Sequence, residues 1–136
     1  MKTFSWTRRC ATLAAAACLL CLTSAASANG YPEQPIRLLI GFPPGGGGDL
    51  YGRTIANELG KHIGKPIVVE NKPGAGGNIA AELMTQAKPD GYTLLLAMSG
   101  NLGSAPAIRN NLTYKVPDDF VFISQLVETP YGLVVS

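Results

Sequence analysis

The sequence predicts an α/β fold, a mostly parallel sheet with helices on both of its faces. Three observations carry this. Three short apolar runs recur along the chain, Ile36-Arg37-Leu38-Leu39-Ile40, Pro66-Ile67-Val68-Val69-Glu70 and Thr93-Leu94-Leu95-Leu96-Ala97. Two amphipathic segments lie between them. Each run ends in a loop of Gly, Ser and Asn. Alternating strands and helices of this kind build a parallel sheet covered on both sides, whose strands are near-continuously apolar.

The elements follow in order. Residues 35–42 read as the first buried strand, bounded by Pro and Gly. Asp49 then reads as the N-cap of a helix. In it Leu50, Ile55, Leu59 and Ile63 recur at near-helical spacing, and Gly60 and Gly64 close it. Residues 66–70 form the second strand, followed by the glycine loop Asn71-Lys72-Pro73-Gly74-Ala75-Gly76-Gly77. Asn78 caps a second helix that runs through Ile79, Ala80, Leu83, Met84 and Ala87. Lys88-Pro89-Asp90-Gly91 is a turn, because Pro presets φ and Gly supplies a positive one. The third strand, 93–97, empties into a polar loop at 98–104. Residues 114–120 read as a surface connection, and 121–127 and 133–135 as two more strands.

A leader precedes the fold. Lys2, Arg8 and Arg9 stand before an apolar stretch at 10–22, and the small residues Ala26 and Ala28 follow. This is the three-part plan of a secretory signal peptide, with cleavage expected after Ala28. A membrane anchor fits less well, because no stop-transfer pattern follows. Cleavage removes three of the 11 bases and none of the 9 acids, leaving eight bases against nine acids. The basicity of the whole chain therefore belongs to the leader and gives no reason to expect nucleic acid or a membrane surface as partner. Cys10, Cys18 and Cys21 leave with it, so the mature chain has no disulfide and no cysteine ligand or nucleophile. The organisation expected is a signal peptide at 1–28, a first α/β lobe at 29–125 and a crossover strand at 126–136. The last of these points towards a second lobe and a longer protein.

In parallel sheets ligands bind outside the carboxyl ends of the strands. The stretch Gly41-Phe42-Pro43-Pro44-Gly45-Gly46-Gly47-Gly48-Asp49 sits at such an end and re-enters a helix. Free backbone N–H groups at a positive helix terminus bind anions without a basic side chain. Nucleotide loops do not fit. A phosphate loop needs Lys and Ser/Thr after its last glycine, where this chain has Asp49-Leu50, and Pro43-Pro44 interrupts a dinucleotide fingerprint. Asp49 satisfies its own helix end or, less readily, meets a ligand ammonium. Ser99 and Asn101 either donate to a carboxylate or cap residues 104–108. His62 reads as a solvated surface residue. No His or Cys spacing suits a metal, and Met98-Ser99-Gly100 lacks the first glycine of an esterase nucleophile elbow.

Several motifs in register resemble one family. They are Tyr31-Pro32-x-x-Pro35-Ile36-Arg37, Phe42-Pro43-Pro44-Gly45-Gly46-Gly47-x-Asp49, Val69-Glu70-Asn71-Lys72-Pro73-Gly74-Ala75-Gly76-Gly77-Asn78, Pro89-Asp90-Gly91-Tyr92-Thr93-Leu94 and Ser99-Gly100. Together they resemble the extracytoplasmic solute receptors of the tripartite tricarboxylate transporter system, the Bug family. The resemblance implies a monomeric, two-lobed type II periplasmic binding protein without catalysis, cofactor or metal. It would close over a small organic anion, such as a di- or tricarboxylate, an acidic amino acid or an aromatic acid, and deliver it to membrane permease subunits. By position the ligand-binding residues of the first loop would be Phe42, Pro43, Gly45, Gly46, Gly47, Gly48 and Asp49. Gly76 would come from the second loop, and Ser99, Gly100 and Asn101 from the third. The family commonly has Thr or Ser where this chain has Gly48, so one hydroxyl donor is missing. Two rival readings remain, a secreted hydrolase with Ser99 as nucleophile and a ligand-sensing subunit of a signalling system.

Overall fold

The computed structural model describes residues 30–128 together with 132, 134 and 135. The leader expected at 1–28 lies outside the described residues, and the strand expected at 126–136 lies partly outside them. Residues from Gln34 onward belong to one unit. Its centre is a three-stranded parallel sheet of β1 (Ile36–Ile40), β2 (Ile67–Asn71) and β3 (Thr93–Leu96), in the order β2-β1-β3. The register sets Ile40 beside both Asn71 and Leu96, so all three strands end at one level.

Side chains of a strand alternate between faces, and β1 buries apolar side chains on both. On one, Leu38 and Ile40 pack with Ala56 of helix α1 (Gly47–Ile63), flanked by Ile67, Val69, Leu94 and Leu96. On the other lies Leu39, on the side covered by helix α2 (Asn78–Thr85), whose Ala80 and Ala81 are fully buried. Burying a Leu or Ile side chain completely is worth about 1.5–3 kcal/mol. Leu39 and Ile40 in the middle strand are therefore the anchors of the unit.

The helices depart from expectation in three ways. First, α1 begins at Gly47, with Gly46 as N-cap, two residues before Asp49. It ends as expected at Gly64, whose φ of 71° and N–H bond to Gly60 O close the last turn. Second, the buried face of α1 is Asp49, Gly52 and Ala56, while Leu50 is 68% exposed and Leu59 half-exposed. Small residues let the helix lie close to the sheet, and the larger apolar ones face outward. Third, α2 starts at Asn78 with Gly77 as N-cap, so Asn78 caps nothing, and it stops at Thr85, two residues before Ala87.

The turn before β3 forms as its residues dictate. Gly91 has φ of 82°, and Asp90 Oδ1 accepts the Tyr92 N–H at 3.0 Å. After β3 the polar loop is a π-helical turn, Ser99–Ser104, leading into the short helix α3 (Ala105–Ile108). Residues 121–128 form no strand and are exposed, and neither Val134 nor Val135 lies in one. An apolar, β-branched run becomes a strand only beside a partner edge, and none of the described strands pairs with these residues.

Candidate functional site

Because β1, β2 and β3 are parallel and in register, their following loops leave the sheet side by side. Neighbouring strands lie about 4.8 Å apart, so the three loops start from adjacent positions at the carboxyl edge.

The first loop is held by Asp49. The first intrahelical bond of α1 runs from Leu50 N to Gly46 O, so the amides of Gly47, Gly48 and Asp49 precede the hydrogen-bonded ladder. Asp49 is only 4% exposed, and both carboxylate oxygens are engaged. Oδ2 accepts the Gly45 N–H at 2.9 Å and Arg53 Nε at 2.9 Å. Oδ1 accepts Asn71 Nδ2 at 2.8 Å. The bond from Arg53, then the Gly45 amide and the Asn71 amide, hold the carboxyl well below the usual carboxylate range. Asp49 thus folds the loop back on its helix from inside the first turn, instead of capping the helix from outside. Asn71, the last residue of β2, also donates to Phe42 O at 3.1 Å and accepts Arg53 Nη2 at 3.1 Å.

Gly48 has a special neighbour. A Cβ there would stand 1.9 Å from Cδ2 of Phe42, so the aromatic ring occupies the space a side chain at 48 would take. Pro43, Gly45 and Gly47 are exposed, and no heavy atom outside their immediate neighbours lies within 4 Å of a Cβ built at Gly45 or Gly47.

The second and third loops are bound to each other. At Gly77, with φ of 90°, a Cβ would meet the methyl of Met98 at 2.8 Å and the amide of Asn101 at 3.2 Å. Asn101 is fully buried. Its Oδ1 accepts the Met98 N–H at 2.9 Å, and its Nδ2 donates to Gly77 O at 3.2 Å. This amide therefore holds the loop from within. Its carbonyl accepts the Tyr114 hydroxyl at 2.6 Å, and the same hydroxyl lies 3.1 Å from Asn78 Oδ1. Tyr114 is buried, its pKa is raised by that burial, and its ring meets Phe120 edge-on at a centroid distance of 5.6 Å. The expected surface connection thus sends its tyrosine inward. Ser99 and Gly100 stay exposed on the outer side of this turn, and Gly100 lies beside Gly76, itself exposed with φ of 68°.

The structure therefore gathers the residues singled out in the sequence into two clusters, Phe42 to Asp49 on one side and Gly76, Ser99, Gly100 and Asn101 on the other. Sequence reasoning overlooked Arg53, Asn71 and Tyr114 as parts of the site. The i,i+4 spacing of Asp49 and Arg53 was a readable signal for the first of these. His62, the one histidine of the chain, stands near the far end of α1. By helical rise that is roughly 22 Å from its first turn. Among the described residues there is no group of three His, Cys, Asp or Glu that could hold a metal ion, and no helix long and apolar enough to cross a membrane.

Residues 51–136 match the family described as the tripartite tricarboxylate transporter family receptor. The chain belongs to that receptor family. It is 42% identical over 116 residues to a UPF0065 protein of Bordetella pertussis, covering 85% of this chain and 35% of the relative. The chain thus spans about a third of the length of such curated relatives. Among solved structures it is similar to the periplasmic binding protein BugD, with a TM-score of 0.60 and 39% identity over 62% of this chain and 28% of BugD. It is equally similar to MatC of Rhodopseudomonas palustris with bound malate, with a TM-score of 0.60 and 38% identity over 62% of this chain and 29% of MatC. These neighbours have the two-lobed periplasmic binding fold, of which this chain corresponds to a part.

Proposed function

We propose that the protein is a periplasmic solute-binding protein that captures a small organic carboxylate and delivers it to permease subunits of a tripartite tricarboxylate-type transporter, without catalysing a reaction. The observation that carries this reading is the first turn of α1, where the amides of Gly47, Gly48 and Asp49 lie ahead of the hydrogen-bonded ladder. A carboxylate there would accept charge-assisted bonds at a positive helix end. Ser99 and Gly100, exposed on the neighbouring loop, would supply the second set of contacts, and Gly76 would flank them. The malate bound in MatC supports the ligand class.

Two features support closure of a second lobe over this edge. Leu50 and Tyr51, just past the anion loop, are 68% and 54% exposed. Phe42 is also partly exposed beside the same loop. Apolar groups around a polar cleft suit a surface that is covered in the liganded state. Hinge closure of this kind would bury the carboxylate where its hydrogen bonds are strongest. The hydrolase reading is weakened because His62, the one imidazole of the chain, stands in the last turn of α1, at the opposite end of that helix from the first loop, while Ser99 lies in the turn after β3.

The test is calorimetric titration of the complete mature protein with acetate, malate, adipate and citrate, with a thermal melt in parallel. A native-state binder raises the melting temperature by mass action. Saturable binding of one acid is expected. No heat and no shift for any of the four would sink the reading.

A further inference from the structure

Asp49 poses an electrostatic problem for the site just described. A carboxylate in the first turn of a helix is itself favoured by the amides and dipole that would attract an anionic solute, and it repels a second anion nearby. The inference that follows rests on the carboxylate-binding reading.

The structure contains a remedy. Arg53 lies one helical turn beyond Asp49 and donates from Nε to Oδ2 at 2.9 Å. Its second donor, Nη2, reaches Asn71 Oδ1 at 3.1 Å, while the Asn71 amide donates to Asp49 Oδ1. The three side chains close a ring in which each is held by the other two. The ring has no net charge, because the one acid faces the one base. It also draws the carboxylate towards Gly45 and β2, so that Gly45 is the single loop amide it engages. The other charges on and just after β2 do not enter the ring, since Lys72 pairs with Glu70 at 3.4 Å and Glu70 with Arg37 at 2.7 Å.

We propose that Arg53 is a positioning residue that sets the charge selectivity of the site: by neutralising Asp49 and pinning it against Gly45 and Asn71, it leaves the first-turn amides of α1 to the carboxylate of the solute. Arg53 does this from the flank of the helix, where its side chain is 53% exposed.

The experiment is a variant cycle on the complete protein, titrated with acetate, malate and citrate at low and high salt. In R53Q the Asp49 charge stands uncompensated, and affinity for malate should fall roughly five- to tenfold, as expected for one unscreened charge several ångströms away. The loss should grow from acetate to malate to citrate and shrink at high salt. Adding D49N to R53Q removes the offending charge and should restore most of the malate affinity. R53K, which keeps the charge but not the fork to Asn71, should recover most of what R53Q loses. This arm also serves if R53Q melts without a cooperative transition. A loss in R53Q that is equal for the three acids, insensitive to salt and not rescued by D49N would mean that Arg53 only supports the fold. Unchanged malate binding in R53Q overturns the proposal while leaving the carboxylate reading intact. Wild-type protein that binds none of the acids overturns both.

Discussion

At the end of β1 the loop is held by a ring built on the ion pair of Asp49 and Arg53 and closed by Asn71, and the first amides of α1 stay ahead of the helical ladder. At the end of β3 the loop is held by a neutral amide and a phenol, Asn101 and Tyr114, both buried and both hydrogen-bonded inside. The first end therefore keeps its first-turn amides ahead of the helical ladder and stiffens itself with a buried carboxylate tied to an exposed arginine. The third end uses its polar side chains to fix its own shape and offers only the outer rim of Ser99 and Gly100. The difference teaches that polarity in a strand-end loop does not by itself mark a contact residue. What matters is whether the polar group still has an unmet partner after folding.

The largest expected effect breaks the third end. Asn101→Ala removes one buried and one part-buried bond and leaves the Met98 N–H and the Gly77 carbonyl without that partner. That should cost about 3 kcal/mol of stability, because each stranded buried group carries its full desolvation penalty. Urea unfolding of the complete protein reads it as a lower midpoint at unchanged slope. A loss below ~1 kcal/mol would mean that water replaces the amide and that the third end is not internally held.

The counterpart at the first end should change affinity and spare stability. Gly47 is the first helical residue, where proline is tolerated because that N–H has no intrahelical acceptor. The residue before it already has the extended geometry proline demands, with Gly46 at φ −80° and ψ 170°. Gly47→Pro thus deletes one donor with little strain. A bond to a charged group is worth about 1.5–3 kcal/mol, so malate affinity should fall roughly ten- to a hundredfold at a near-constant melting temperature. Unchanged affinity would remove the Gly47 amide from the site.

The fold was legible because it rests on strong local signals. Three apolar runs, a Pro-Asp-Gly turn and the glycines that bound α1 left little choice of architecture. The buried face of α1 was not legible. Leu50 and Leu59 suggested it by hydrophobicity, yet the helix packs through Gly52 and Ala56, where close approach outweighs apolar area. The first glycine loop was recognisable as a candidate anion site from its place between strand and helix. Its holding ring was only half visible, since Arg53 is close to Asp49 in sequence and Asn71 is distant. Tyr114 had no signal at all, because its partners Asn78 and Asn101 are brought to it only by the fold. The strands expected beyond 120 failed for the same reason, as pairing is a non-local property.

A smaller effect sharpens how far the first end can adapt. Gly48→Thr would place its Cβ against the Phe42 ring at a distance no pair of carbons tolerates, so the ring must leave. Phe42 is 37% exposed and can swing outward, which should limit the cost to about 1 kcal/mol. Phe42→Ala in the same chain should remove most of that penalty, giving a coupling energy near the penalty itself in a double-mutant cycle. Additive effects would show that the ring does not pack on Gly48.

The smallest effect supplies the baseline for charged pairs on this sheet. Glu70 bonds Arg37 at 2.7 Å, and that bond, with help from Lys72, lowers its pKa from 4.5 to about 2. A depressed acid contributes stability above its unfolded pKa and loses it as pH falls through the folded one. The contribution of Glu70 should therefore be complete above about pH 5, fade through pH 4 and 3, and be gone only below about pH 2. The Arg37 side chain is 51% exposed, so solvent and salt screen the pair and its worth should stay below about 1 kcal/mol. Urea melts of wild type and Glu70→Gln should differ by that small amount at pH 6 and converge only as the pH falls to about 2 and below. A persistent gap at low pH would mean that Glu70 acts through packing instead of charge. The Asp49 ring should behave differently in the same titration. Its carboxylate accepts bonds from Arg53, Gly45 and Asn71 that outweigh the opposing effect of burial, so it should stay ionised at pH values where Glu70 is already protonated, and the first loop should keep its shape after the outer pair is lost.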